Sequence, residues 1–278
     1  MSMSSPNQKS MRLFSNGILI LLGILFVLPL LWIVLSSFDA TNTLTSQLPK
    51  VFTLGNYQKI LTPGITFVPL FNSVLLSGGC ALIAVICAIL AAYPLSRYRM
   101  RITQPYLYGI LFGTSLPITA MMVPVYSLFA QLNLIDSLAG TIFFMASSSL
   151  PIAIWMMKNF MDSVPVSLEE AAWVDGASSM GTLRKIVIPL MRPGIAVVFI
   201  YVFIQAWGNF FVPFVLLLSP GNQPASVSIF NFFGSNGSVA YGELAAYSLI
   251  YSVPVLALYV LIQRGLGGSS ALAGAIKG

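Results

Sequence analysis

The chain has 278 residues, 57% of them hydrophobic and only 7% charged, with a mean hydropathy of +0.90. A soluble domain carries roughly a quarter charged residues, so this chain reads as one polytopic membrane unit with no room for a second, soluble domain. Its net charge of +6 is scattered in ones, twos and threes beside apolar runs, which fits membrane topology and not nucleic-acid binding; the absence of histidine removes the usual proton shuttle and commonest metal ligand.

A spanning helix takes about 20 mostly apolar residues, and six segments qualify: 17–36, 69–93, 106–130, 138–158, 194–218 and 244–263. The first follows Lys9 and Arg12 and lacks a small-x-small cleavage pattern before SSFDATN, so it is expected to be an uncleaved anchor. The second carries Asn72 near its start and two cysteines, Cys80 and Cys87. Their spacing puts both on one helix face as small buried hydrophobes, too far apart to bridge. Pro117 and Pro124 fall in the third segment, Pro151 in the fourth and Pro254 in the sixth. Spanning helices tolerate such prolines where neighbours satisfy the freed carbonyls.

With six spans, Lys9, Arg12, Arg97, Arg99, Arg101, Lys158, Arg184, Lys185, Arg192, Arg264 and Lys277 share one side, and Lys50 and Lys59 lie on the other. The excess of positive charge marks the cytoplasmic side, so both termini and segment 165–190 are expected there. The two outer loops, 37–68 and 219–243, are rich in Gly, Pro, Asn and Ser. No internal repeat marks the duplicated halves of many secondary transporters.

Between the fourth and fifth segments lie four of the seven acidic side chains: Asp162, Glu169, Glu170 and Asp175. Ser167-Leu-Glu-Glu170 has the form of a capping box, with Pro165 limiting extension upstream and both glutamates at the positive end of a helix dipole. Ala171 and Ala172 continue the helix, and Asp175-Gly176 ends or bends it. Met180, Leu183, Ile186, Val187 and Leu190 then recur at three and four, predicting a second helix with one apolar face. The bland reading is a capped loop between spans. The Ala-Ala face and the glycine also suit close approach to a cytoplasmic partner.

The spacing Glu170-Ala171-Ala172, Gly176, Ile186, Ile188-Pro189 resembles the cytoplasmic motif of permease subunits of ATP-binding-cassette importers, with Ile188 where the family more often has Leu. DGAS at 175–178, PLMRPG at 189–194, AWGNFFVPFVLLLS at 206–219 and the tail QRGLGGSSALAGAIKG are similar to the carbohydrate branch, of the maltose-permease inner-membrane type. Trp207-Gly208-Asn209-Phe210 departs from that branch, which commonly has an acid in this motif, and Ile276 stands where Val is common.

The resemblance implies an all-α, six-span permease of the bacterial inner membrane, the type I importer fold. It implies a coupling helix around 167–181, in which Glu169, Glu170, Ala171, Ala172, Asp175, Gly176 and Ala177 meet an ATPase. The implied partners are a second permease chain, a pair of ATP-binding-cassette ATPases and an extracytoplasmic solute-binding protein, with ATP and Mg held on the ATPases and no cofactor on this chain. No G-x-x-x-x-G-K-[ST] loop is present, and GLGGSS at 265–270 lacks both the lysine and a preceding strand, so the chain itself is not expected to hydrolyse ATP.

Polar or aromatic groups at bilayer depth are candidates for the solute pathway: Asn72, Tyr201, Gln205, Trp207 and Asn209. Gln205 and Asn209 share a helix face; amide groups beside an aromatic platform suit a sugar, and the competing role is glue between helices. Glu243 reads as a solvated helix end and Met121-Met122 as core filler. A stand-alone carrier or channel is the alternative, although no intramembrane acid or base suits proton coupling. An intramembrane enzyme finds no nucleophile–base pair or metal-ligand spacing.

Overall fold

In lipid a helix satisfies every backbone polar group within its own segment, and this chain is almost wholly helical. The structure, a computed structural model, describes residues 6–40, 49, 51–98, 100–233 and 239–265. Expectations for Lys50, Arg99, Lys277 and the glycine-rich tail after Gly265 lie outside the described residues, as do the side chains of Lys9 and Arg12. The helices are α1 (Pro6–Ser37), α2 (Gly55–Ile60), α3 (Val68–Arg97), α4 (Thr103–Gly113), α5 (Ile118–Gln131), α6 (Leu138–Asp162), α7 (Ser167–Val174), α8 (Ser179–Thr182), α9 (Ile188–Leu190), α10 (Arg192–Trp207), α11 (Phe211–Leu216), α12 (Ala225–Ser228) and α13 (Tyr241–Gly265). Wide π-turns lead into α3 at Pro63–Phe67 and join α8 to α9 at Leu183–Val187.

Among the described residues, four helical stretches are long and apolar enough to cross a membrane: Phe14–Ser37, Pro63–Arg97, Leu138–Asp162 and Tyr241–Gly265. Two further pairs qualify only as bent units: α4 with α5, at 86°, and Ser179–Leu190 with α10, at 78°. The third expected segment is therefore a broken helix. Pro117 has no amide to donate and biases the residue before it away from helix; Thr114 and Ser115 turn their hydroxyls onto the carbonyls of Leu111 and Phe112, at 2.7 and 2.6 Å. The fifth expected segment is also interrupted. α10 stops at Trp207, Gly208 caps it, and the chain restarts as α11 with Asn209 Oδ1 accepting from the Val212 amide at 3.1 Å.

The chain divides into two compact units, residues 1–62 with 231–251 and residues 63–230 with 252–278. In the first, Asn56 donates to the carbonyls of Ser37 and Asp39, at 3.0 and 2.8 Å, and Tyr57 donates to Ser37 Oγ at 2.8 Å, fastening α2 to the end of α1. Glu243 is not merely a solvated end: Lys59 Nζ lies 2.9 Å from its carboxylate. In the second unit, α3 packs on α6 and α10 through a stripe of small residues, Ser77, Ala81, Ala84, Ala88 and Ala92, all buried. Small side chains let helix backbones approach where lipid supplies no hydrophobic drive. Cys80 is buried beside this stripe, whereas Cys87 is exposed, against the expected shared burial.

Gly194, in the first turn of α10, marks the closest approach. A Cβ there would stand 2.6 Å from Phe160 Cγ and 2.8 Å from Phe160 Cβ. Overpacking of this kind costs about 1–3 kcal/mol. Gly194→Val is expected to lower the thermal midpoint of the detergent-purified chain, and Phe160→Ala in the same chain to recover part of the loss. An unchanged midpoint in the single variant would show that α10 does not rest on α6 this closely.

Candidate functional site

The segment between α6 and α10 is built around a glycine. At the end of α7 the Gly176 amide donates to the Trp173 carbonyl at 3.0 Å and the Ala177 amide to the Ala172 carbonyl at 2.9 Å, with Gly176 at φ +84°. These are the paired bonds of a Schellman close, which needs a left-handed residue after the helix. Open space surrounds the Gly176 α-carbon, so its requirement is conformational: a side chain in this region costs about 1–2 kcal/mol.

The expected capping box does not form. The N-cap is Val166, already helical at φ −62° and ψ −30°, without a side-chain bond, and the Glu169 and Glu170 amides bond to the Val166 carbonyl instead. Ser167 therefore lies inside the first turn, where its hydroxyl is one position late to cap. The side-chain cap belongs to α8, where Ser178 Oγ accepts from the Gly181 amide at 3.2 Å. The expected apolar face of the second helix divides as well. Leu183 and Val187 are buried, but Met180 and Leu190 are exposed, because the π-turn at Leu183–Val187 changes the rotation per residue and breaks the stripe.

The segment exposes several large apolar side chains. Val174 is 88% exposed and Met180 62%, with Leu168 and Trp173 also exposed and Ala171, Asp175, Gly176 and Ala177 open beside them. Glu170 is exposed and Ala172 half-buried. Glu169 points the other way. Its side chain is fully buried, with Oε1 2.5 Å from Arg97 Nε and Oε2 accepting from the Tyr93 hydroxyl at 2.9 Å. Arg97 also donates to the Val164 carbonyl at 3.2 Å and to Ser96 Oγ at 3.1 Å. Ser96 donates to Asp162, which Lys158 pairs with one turn back along α6, each at 2.5 Å. The ends of α3 and α6 and the first turn of α7 are thus joined by one polar network. Removing one member of a buried ion pair costs about 3–5 kcal/mol, since the other is left uncompensated. Sequence reasoning used Arg97 only for topology and passed over Tyr93; the available signal was their i,i+4 spacing on one face, at the end of a span.

The expected pathway residues separate. Gln205 and Asn209 line one cavity of about 100 Å³ with Ser148 and Ser149 of α6. A neighbouring cavity of about 520 Å³ shares Ile118 and Ser148 and adds Thr114, Met121 and Ser147. Met121 is exposed and Met122 buried, so only Met122 is core filler. Asn72 is elsewhere: its amide donates to the carbonyls of Gly221 and Gln223, at 2.8 and 3.1 Å, which is the role of glue. Trp207 is buried and stacked on Phe203 at 5.6 Å between ring centroids, and Tyr201 is half-buried; neither lines those two cavities.

Asp136 was missed. It lies in the α5–α6 turn at φ +63°, a region that Asp tolerates better than most residues. Its Oδ1 accepts the amides of Leu218 and Ser219, each at 2.9 Å, and its carbonyl accepts from Asn222 at 2.9 Å. Hydrogen bonds from Ser219, first from its side chain and then from its backbone, hold the carboxyl below its ordinary 3.8.

A family model described as binding-protein-dependent transport system inner membrane component matches residues 81–267. The chain is 32% identical over 246 residues to an inner membrane ABC transporter permease protein of Escherichia coli, covering 86% of each. It is 30% identical over 271 residues to a galactooligosaccharides transport system permease protein of Bacillus subtilis, covering 96% of this chain and 95% of the relative. Among solved structures it superposes on a chain of a bacterial ABC transporter involved in the import of alginate, with a TM-score of 0.80 and 21% identity, over 95% of this chain and 99% of that one. The likeness of fold thus reaches beyond the matched family region to nearly the whole chain.

A carboxyl whose folded pKa is lowered stabilises the fold above its unfolded pKa and loses that contribution as pH falls through the folded value. Asp136→Asn is expected to lower the thermal midpoint at neutral pH, with the gap from the unaltered chain closing on acidification below about 4. A gap independent of pH would mean that the charge of Asp136 is not what holds the 218–219 amides.

Proposed function

The chain belongs to the family of binding-protein-dependent transport system inner membrane components, the permeases of ATP-binding-cassette importers, and from that premise we propose that it forms half of the translocation pathway for a sugar or sugar-like solute. The sugar class is supported by the galactooligosaccharide permease among its relatives and by the serine and amide groups of the cavities beside α6. Hydroxyl and amide groups can both donate and accept, as a polyhydroxyl solute requires.

The chain is a multi-pass membrane protein that carries solute and does not catalyse a reaction. The finer reading is a single transmembrane permease domain of six spans, the two bent pairs counting as one each, with both termini cytoplasmic. Partners are a second permease chain, an extracytoplasmic solute-binding protein and a cytoplasmic ATPase pair that holds ATP and Mg, with lipid around the spans. Segment 165–190, with α7 at its head, is the coupling segment. Closure of the ATPases on ATP moves the paired coupling helices together, and the spans rock as packed bodies between two states.

The observation that carries this reading is the glycine-closed α7 with its outward apolar side chains. Exposed groups such as Val174 and Trp173 suit a protein groove better than water, and aromatic anchors dominate such contacts. On this reading Glu170, Ala171, Ala172, Asp175, Gly176 and Ala177 lie at or beside the ATPase contact, with Val174, Trp173 and Met180 added to it. Val174→Asp and Gly176→Asp are expected to reach the membrane at ordinary levels and to lower solute uptake by at least tenfold. Normal uptake in both would overturn the docking role of α7.

A further inference from the structure

Docking alone does not explain the inward half of α7. Its covalent links are the Ser163–Val166 turn and the Gly176 close, and a helix held only at such points can swing when pulled. The described residues provide a third attachment, to a helix that is 72 positions away along the chain.

We propose that Arg97 and Glu169 are positioning residues that clamp α7 to the end of α3, so that displacement of α7 moves the span instead of flexing the turn. This inference rests on the reading of α7 as the ATPase-docking helix. Both carboxylate oxygens are engaged, Oε1 by Arg97 and Oε2 by Tyr93 one helical turn earlier on α3, which fixes the carboxylate against rotation. The guanidinium is fixed in turn by the Val164 carbonyl, inside the connecting turn, and by Ser96. Arg97 is 3% and Glu169 0% exposed by side chain, so salt screens the pair little. Ser96 extends the linkage to Asp162, and Asp162 to Lys158, so α3, α6 and α7 meet at one rigid corner. A planar fork of donors provides this; an ammonium on a flexible stem does not reproduce it.

The test uses the whole importer, purified with its ATPase subunits, with Cys80 and Cys87 replaced by Ala and Ser147→Cys as a reporter facing the larger cavity. The probe is a membrane-impermeant maleimide, and the readout is the ratio of labelling rates with and without ATP, beside the rate of ATP hydrolysis. With the clamp intact, ATP changes the labelling rate. In Glu169→Gln and Arg97→Gln the ATPase subunits are expected to co-purify and hydrolyse ATP within about twofold of the unaltered complex, while the ATP-dependent change in labelling shrinks at least fivefold. Arg97→Lys, which keeps the charge, is expected to fall between and serves if the other two do not assemble. A full ATP-dependent change in the clamp variants would overturn the proposal, as would loss of assembly and hydrolysis together with unchanged labelling in Arg97→Lys, the mark of a purely structural pair. If the unaltered clamp itself shows no response to ATP, the docking reading has failed, an outcome distinct from failure of the clamp alone.

Discussion

A backbone amide or carbonyl at bilayer depth has no water to turn to, and an unsatisfied one costs several kcal/mol. The organisation of this chain follows from that constraint. Where the sequence permits, helices run unbroken, as in α3 and α6. Where it does not, side chains repair the gap: the Thr114 and Ser115 hydroxyls on carbonyls before Pro117, and the Asn209 side chain on an amide after Gly208. The breaks are also where the polar cavities lie, since groups that satisfy an interrupted helix keep spare capacity for water or solute.

Polar groups elsewhere in this greasy chain serve as fasteners. Asn72 and Asp136 hold the loop between α11 and α12 from two directions. Arg97 and Glu169 hold α7 from within. Charge is scarce here, and the acids for which contacts are described are paired or hydrogen-bonded to partners distant in sequence, as Glu243 is to Lys59. The segment between α6 and α10 consequently has two chemical faces. One holds the Arg97–Glu169 pair, sealed from solvent; the other is open, with apolar side chains around Val174 and Met180. A helix rigidly mounted behind and adhesive in front suits the transmission of force between proteins.

Much of this was readable in residues alone, because hydropathy and glycine act locally. Long apolar runs marked the uninterrupted spans, and the spacing from Glu170 to Pro189 marked the segment between α6 and α10. Gly176 was expected to end or bend a helix, and a left-handed close is what it supplies. What the sequence concealed depends on rotation and distance. The register of α7 begins one residue before the capping pattern at Ser167 suggests, a π-turn diverts the stripe from Met180 to Leu190, and Cys80 and Cys87, alike in sequence, differ in burial. Asn72 and Gln205 are both amides in apolar runs, and only tertiary contacts distinguish the fastener from the cavity lining. Glu169 and Glu170 are neighbours of one type, yet 100° of helical rotation sends one to Arg97 and the other to solvent.

On the proposed reading, α7 is the point where an ATPase grips the permease. The most direct measurement is site-specific cross-linking: Val174→Cys in a chain lacking Cys80 and Cys87, treated with a short bifunctional reagent in native membranes, followed by purification and identification of the attached protein. One dominant adduct is expected, an ATP-binding-cassette ATPase, with its yield altered by ATP. A Val174→Cys chain that labels freely yet forms no such adduct would contradict it.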